Sequence, residues 1–137
     1  MARKPRALVF DSWAVMAYLE DEPQAERVAD MIADAHEDDT PLLMSVVNLG
    51  EVWYIIAREA SEAEAERGVA ELLQLGIEIV PADWPLTRAA AGFKAKHRMS
   101  YADCFAAALT REKKAHLVTG DLEFAQVERD VQILWLK

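Results

Sequence analysis

Cysteine is almost missing from this chain: Cys104 is the only one among 137 residues, so no intrachain disulfide can form and packing alone must hold the fold. A reducing compartment is expected, and redox chemistry finds no support. Glycine is sparse too, at five residues, and none builds a Gly-rich phosphate loop or a Gly-x-Ser-x-Gly elbow. No apolar run approaches the roughly 20 residues that a membrane span needs, so no membrane association is expected. The basic start, with Arg3, Lys4 and Arg6, resembles the head of an export signal. The apolar stretch behind it, residues 7–10, is cut short by Asp11, so no export signal is read and a cytoplasmic location is expected. Positive charge is scarce: 15 Lys and Arg face 24 Asp and Glu, a net charge of −9 that repels polyanions. Nucleic-acid binding would need local basic clusters. The candidates are Arg3, Lys4 and Arg6; Lys94, Lys96, His97 and Arg98; and Arg111, Lys113 and Lys114, each of which also reads as an ordinary solvated helix end. His36, His97 and His116 lack metal-ligand spacing.

What is present is apolar and periodic. With 53% hydrophobic and 28% charged residues, the chain suits one domain over residues 1–137, burying roughly two-thirds of its unfolded surface. Residues 7–10 read as a buried strand, followed by a helix with Trp13, Met16 and Leu19 in period and a break at residues 20–23. Ala25, Val28, Ala29 and Ile32 mark a second helix, and residues 42–44 a second strand. Ser45 caps a helix with the stripe Leu49, Val52, Trp53 and Ile56, and Ser61 with Glu64 forms a capping box for the next, which Gly76 ends. Residues 77–80 are a third strand. Asp83 caps a helix near Pro85, and Ser100 caps another that turns Cys104, Phe105, Ala108 and Leu109 inward. Residues 117–119 and 131–135 complete the strands. No repeat or linker divides the chain, and strands separated by helices imply right-handed crossovers. The expected fold is a three-layer α/β/α sandwich with a mostly parallel five-stranded sheet.

Four acids, Asp11, Glu51, Asp103 and Asp121, fall where strands end or helices begin. In an open parallel sheet those positions converge at the carboxyl edge, where such folds bind ligands. Each has a plain structural reading as well. Asp11 suits an N-cap, Asp103 stands three residues after Ser100 as in a capping box, Asp121 follows Gly120 in a turn, and Glu51 suits a helix surface. Together they imply a shared cation, because crowded carboxylates repel one another without one. The small neighbours of Asp103, namely Ser100, Ala106, Ala107 and Thr110, are expected to leave room for an ion or a phosphate. All-oxygen ligation favours Mg²⁺ or Mn²⁺ over zinc. A phosphoaspartate enzyme would want an acid two residues after Asp11, where Trp13 stands.

The segments Leu8-Val9-Phe10-Asp11-Ser12, Asn48-Leu49-Gly50-Glu51-Val52, Ser100-Tyr101-Ala102-Asp103-Cys104 and Leu117-Val118-Thr119-Gly120-Asp121-Leu122-Glu123-Phe124 resemble the four acidic motifs of PIN-domain ribonucleases, and the small size resembles the VapC toxin branch. The resemblance implies that Asp11, Glu51, Asp103 and Asp121 bind metal, that the hydroxyls of Ser12 and Thr119 assist, and that Glu123 is a fifth acid. Trp13 departs from the family's usual small residue and Glu123 from its frequent Asp. Further implications are Mg²⁺- or Mn²⁺-dependent cleavage of RNA to 5′-phosphate and 3′-hydroxyl ends, homodimer formation, and inhibition by a cognate DNA-binding antitoxin whose tail presents a basic side chain to the acids. The rival readings are a PIN-like module that binds RNA or protein without catalysis, and another phosphoryl-transfer enzyme on a similar sheet.

Overall fold

A computed structural model of the chain describes residues 4–136. Of the basic residues at the start, Arg3 lies outside the described residues, and Lys4 donates from Nζ to the carbonyl of Asp38.

The chain runs through β1 (Leu8–Phe10), α1 (Ser12–Leu19), α2 (Ala25–Glu37), β2 (Leu42–Ser45), α3 (Val46–Glu59), α4 (Glu62–Gln74), β3 (Ile77–Val80), α5 (Trp84–Lys96), α6 (Tyr101–Glu112), β4 (His116–Thr119), a 3₁₀ turn (Leu122–Val127) and β5 (Gln132–Trp135). The strand order is β3-β2-β1-β4-β5, and all four pairings are parallel. The sheet is thus wholly parallel where a mostly parallel one was expected. The first three crossovers each carry two α-helices, as parallel neighbours usually require, while the last, from β4 to β5, carries only the 3₁₀ turn.

Alternation along the strands sorts the core into two layers. Val9, Leu43 and Leu117 pack with α5 and α6, through Leu86, Phe93, Phe105 and Leu109. Leu8, Phe10, Leu42, Met44 and Val118 face the opposite way, onto Val15, Val28, Ile32, Val52 and Leu72. Strands covered on both faces need apolar side chains at successive positions, which explains the uninterrupted runs in the sequence.

Helix starts follow capping chemistry. The side chains of Asp11, Ser45, Ser61, Asp83 and Ser100 accept backbone N–H groups of Ala14, Val47, Glu64, Leu86 and Asp103 respectively. After α4 the chain reverses at Gly76, whose φ of +86° only glycine adopts freely, and His36 packs so closely there that a Cβ would strike its ring. Among the described residues no helix is long and apolar enough to cross a membrane.

Helix α6 departs from the expected one-sided burial, because every residue from Asp103 to Thr110 is buried. Its alanines let the backbone sit close against the sheet, with α5 covering the outer side. Replacing Ala107 by Leu should therefore overpack this seam and cost about 1–3 kcal/mol. Urea unfolding checks it: a lowered midpoint is expected, and an unchanged midpoint would mean that α6 has room to spare.

A carboxylate cleft at the strand ends

The chain enters β1 in the middle of the sheet, fills β2 and β3 on one side, then crosses back to place β4 on the other. The strand order reverses between β1 and β4, and a crevice opens outside their carboxyl ends. Asp11 is the first residue past β1, and Asp121 is the second past β4. Asp103 sits in the first turn of α6, and Glu51 in the second turn of α3.

Asp11 is 1% exposed. Its Oδ1 accepts from the Ala14 N–H at 2.8 Å, capping α1, and its Oδ2 accepts from the Thr119 hydroxyl at 2.5 Å. Thr119 Oγ1 in turn accepts from the Asp121 N–H at 3.0 Å, so a single hydroxyl ties the ends of β1 and β4 together. Burial pushes the Asp11 carboxyl up from 3.8 to about 8, against the pull of the Thr119 and Ala14 bonds and with repulsion from Asp103 and Asp121 added. Asp103, 8% exposed, is raised to about 7, first by burial, then by the charges of Asp121 and Glu51, with a Ser100 hydrogen bond acting the other way.

Carboxylate oxygens of Asp103, Asp121 and Glu123 come within 4.8 Å of one another. Glu51 lines the same cleft, of about 760 Å³, while Asp11 lies beneath it, outside the close trio. The sequence gives Glu123 a supporting place among the acids, and the structure seats it in the tightest grouping. The cause is local: Asp121 Oδ1 accepts the Glu123 N–H at 2.9 Å, curling the 3₁₀ turn back so that both side chains face Asp103.

Asn48 has a role that its sequence context, as part of the motif around Glu51, does not disclose. It is fully buried, its Nδ2 donates to the Ala102 carbonyl at 3.1 Å and to Ser12 Oγ at 3.4 Å, and Ser12 Oγ donates to the Asn48 carbonyl at 3.2 Å. The starts of α1, α3 and α6 are thereby pinned to one another, and Asn48 Oδ1 is left buried without a protein donor. An Asn inside an apolar helix face was the signal available.

The room expected beside Asp103 is present at Ser100, which lines the cleft with it, and absent at the other three small neighbours. Ala106 and Ala107 are 0% exposed and Thr110 is 1% exposed, all spent on packing, and the open space lies on the α1 side. There Trp13, Met16, Pro23 and Ile55 form an apolar wall, and Glu20, Glu22 and Glu59 extend the acidic lining. The Trp13 ring lies on Gly120 so closely that a Cβ there would collide with its six-membered ring. None of the three histidines lines the cleft.

A wholly parallel α/β/α sandwich with carboxylates gathered at its switch point defines the class of protein. Within that class, the PIN domain profile matches residues 8–130, and the chain belongs to the PIN domain family. No curated protein matches it in sequence. Its fold is similar to Mycobacterium tuberculosis VapC20, described as a sarcin-ricin-loop-cleaving toxin, at TM-score 0.70 and 16% identity over 88% of this chain and 95% of that one. VapBC2 from Rickettsia felis, bound to a promoter DNA fragment, gives 0.78 and 12% over 93% and 97%. FitAcB from Neisseria gonorrhoeae gives 0.65 and 19% over 94% and 97%.

Asp11 and Asp103 hold protons in the folded, metal-free protein at pH values where the unfolded chain has released them, since both folded values lie above 3.8. Their contribution to stability is therefore greatest below about pH 4 and is lost as pH rises toward about 8. Urea midpoints measured in EDTA should fall across that window, with Asp11→Asn flattening the trend; a rise would contradict the assignment. Separately, Gly120→Ala should cost about 1–3 kcal/mol through its clash with Trp13. Adding Trp13→Ala should recover part of that loss, and strictly additive effects in the double-mutant cycle would disprove the contact.

Proposed function

We propose that this protein is a metal-dependent endoribonuclease toxin of a type II toxin-antitoxin pair, of the VapC type, acting as one PIN-like domain over residues 1–137. The observation that carries this reading is the convergence of Asp103, Asp121 and Glu123 within 4.8 Å, with Glu51 on the same wall and Asp11 below. Membership of the PIN domain family supports it, as does the likeness in fold to VapC20.

The residues fit a hard divalent cation, Mg²⁺ or Mn²⁺. The donor set is all oxygen, and Asp11 and Asp103 are pushed toward protonation by burial and by the acids around them, a repulsion that a cation would offset. Asp103, Asp121 and Glu123 would hold the ion with Glu51, and Asp11 would add charge from beneath. When bound, such an ion supplies Lewis acidity and a water acidified toward neutral pH. Thr119 and Ala14 keep the Asp11 carboxylate oriented, and the Ser12–Asn48 clamp keeps α3 and α6 in register across the cleft. Attack of water on phosphorus with departure of the 3′ oxygen leaves a 5′-phosphate and a 3′-hydroxyl, and the 2′-hydroxyl takes no part.

In this reading the protein works in the cytoplasm as a homodimer, restrained by a small DNA-binding antitoxin. The VapBC2 and FitAcB structures, with similar folds, support a partner of that kind. A basic antitoxin side chain entering the cleft would gain from its negative field and compete with the ion.

Purified protein incubated with total cellular RNA should cleave it in Mg²⁺ or Mn²⁺ and not in EDTA. Asp103→Asn should slow cleavage by about two orders of magnitude, the scale of losing one electrostatic partner of a transition state. Mass spectrometry should find 5′-phosphate ends; 2′,3′-cyclic phosphates, or metal-independent cleavage, would refute the mechanism.

A further inference from the structure

The charge of this protein is divided between two territories. Residues 88–114, the greater part of α5 and α6, hold seven of the 15 Lys and Arg but only two of the 24 acids, Asp103 and Glu112. The remainder carries eight cations against 22 acids. A chain that is acidic as a whole therefore presents one basic helical hairpin, and that hairpin also carries the cleft's own Asp103.

Three of the seven cations of the hairpin share a surface. Arg88 and Lys96 lie two turns apart on α5 and, with Arg111 from the last turn of α6, line one depression of about 160 Å³. Gly92 stands between the first two, with open space where a side chain would be. Phe93 forms the floor, the Arg111 guanidinium stacks on its ring at 4.4 Å, and this leaves the guanidinium edge free to donate. Asp130 is the one acid on the rim, and the one ion pair among the described residues joins Arg67 to Glu64, far from the hairpin in sequence. Compensation of helix dipoles accounts for basic residues in last turns, as at Lys96 and Arg111, but not for Arg88, which stands in the first half of α5.

The depression is joined to the carboxylate cleft by a pinned segment. Arg98 donates its backbone N–H to Gln126 Oε1 at 3.1 Å and accepts from Gln126 Nε2 at 3.1 Å, and the same Nε2 reaches the Glu123 carbonyl at 3.1 Å. The exposed Arg98 is thus fixed beside the turn that carries Glu123. Eight residues of α6 separate Asp103 from Arg111, about 12 Å along the axis, a span that a few nucleotides cover.

We propose that the exposed face of the α5–α6 hairpin, from Arg98 to the depression formed by Arg88, Lys96 and Arg111, binds the phosphate backbone of the RNA that flanks the bond to be cut. This rests on the nuclease reading for the identity of the polyanion, while the surface itself stands on the charge distribution. Phosphates need cations without competing acids, and on this protein the hairpin is where they are concentrated.

Fluorescence anisotropy tests it, with a labelled single-stranded oligoribonucleotide titrated by the full chain carrying Asp103→Asn, in Mg²⁺, over a series of KCl concentrations. Arg88→Glu with Lys96→Glu should weaken binding at least about tenfold and lower the salt slope by about 0.7 for each phosphate no longer neutralised. Arg58→Glu with Arg67→Glu, which changes the net charge equally, should leave the slope unchanged, and thermal melting verifies that both pairs fold. Equal losses in the two pairs, or none in the first, would overturn the proposal. So would polyglutamate binding that the first pair abolishes while RNA binding persists, since the face would then belong to an acidic protein partner. Wild-type protein that binds RNA through the hairpin yet never cleaves it would sink the nuclease reading and leave the surface standing. Cleavage unaffected by the first pair would do the reverse.

Discussion

Asp11 has nowhere to put its charge. It ends the central strand, is sealed from water, and shares its surroundings with Asp103 and Asp121. A carboxylate in that position is tolerated only with donors on both oxygens, and the two it has, the Ala14 N–H and the Thr119 hydroxyl, come from the start of α1 and the end of β4. Each bond to a charged group contributes on the order of 1.5–3 kcal/mol, which does not offset full desolvation. Hence the raised pKa, and hence the dependence on a rigid frame: two apolar layers clamp the sheet so that the carboxyl cannot turn toward solvent. The crossover that brings β4 beside β1 is what delivers Thr119 and, two residues on, Asp121.

The fold was legible where its causes are local. Ser45, Ser61, Asp83 and Ser100 each announce a helix through a cap whose partner is two or three residues away, and Gly76 announces a reversal that other residues resist. Strand β4 begins one residue earlier than the apolar run, at His116, and β5 one residue later, at Gln132, because parallel pairing sets those ends and hydropathy does not. Burial of α6 on all sides was illegible. Four alanines and small neighbours read equally well as a cleft wall or as close helix-to-sheet packing, and only the position of α5 decides between them. The Asn48 clamp was out of reach for a similar reason, since its partners Ser12 and Ala102 lie 36 and 54 residues away.

Among the acids, capping and site geometry turned out not to compete. Asp11 does cap α1, and Asp121 does cap the turn after it. In a parallel sandwich every helix that follows a strand starts at the carboxyl edge, so the residue that caps it is delivered to the rim where ligands bind. The capping role uses one oxygen of Asp121 and leaves the other for the cleft, while Asp11 commits both and sinks below it. Glu123 was harder to rank from sequence because no helical period brings residues two apart to one face, and it is the hydrogen bond from the Glu123 N–H to Asp121 Oδ1 that sets their relative placement.

The cleft's field also gives the molecule a direction. Beyond Glu51, Asp103, Asp121 and Glu123 the lining continues through Glu20, Glu22 and Glu59, and the Glu20 carboxyl is raised by burial and by those last two neighbours. Among the described residues no basic side chain lines this cleft. A low-dielectric groove of one sign concentrates cations and turns away anions along its whole length, so the Trp13–Met16–Ile55 wall is a poor entrance for a polyanion. The α5–α6 hairpin approaches the same carboxylates from the opposite territory of charge, with Arg98 pinned at its leading edge. Cations are drawn along one arm of the site and phosphates along the other, and Asp103, carried by the basic hairpin and facing the acidic cleft, stands where the two arms meet.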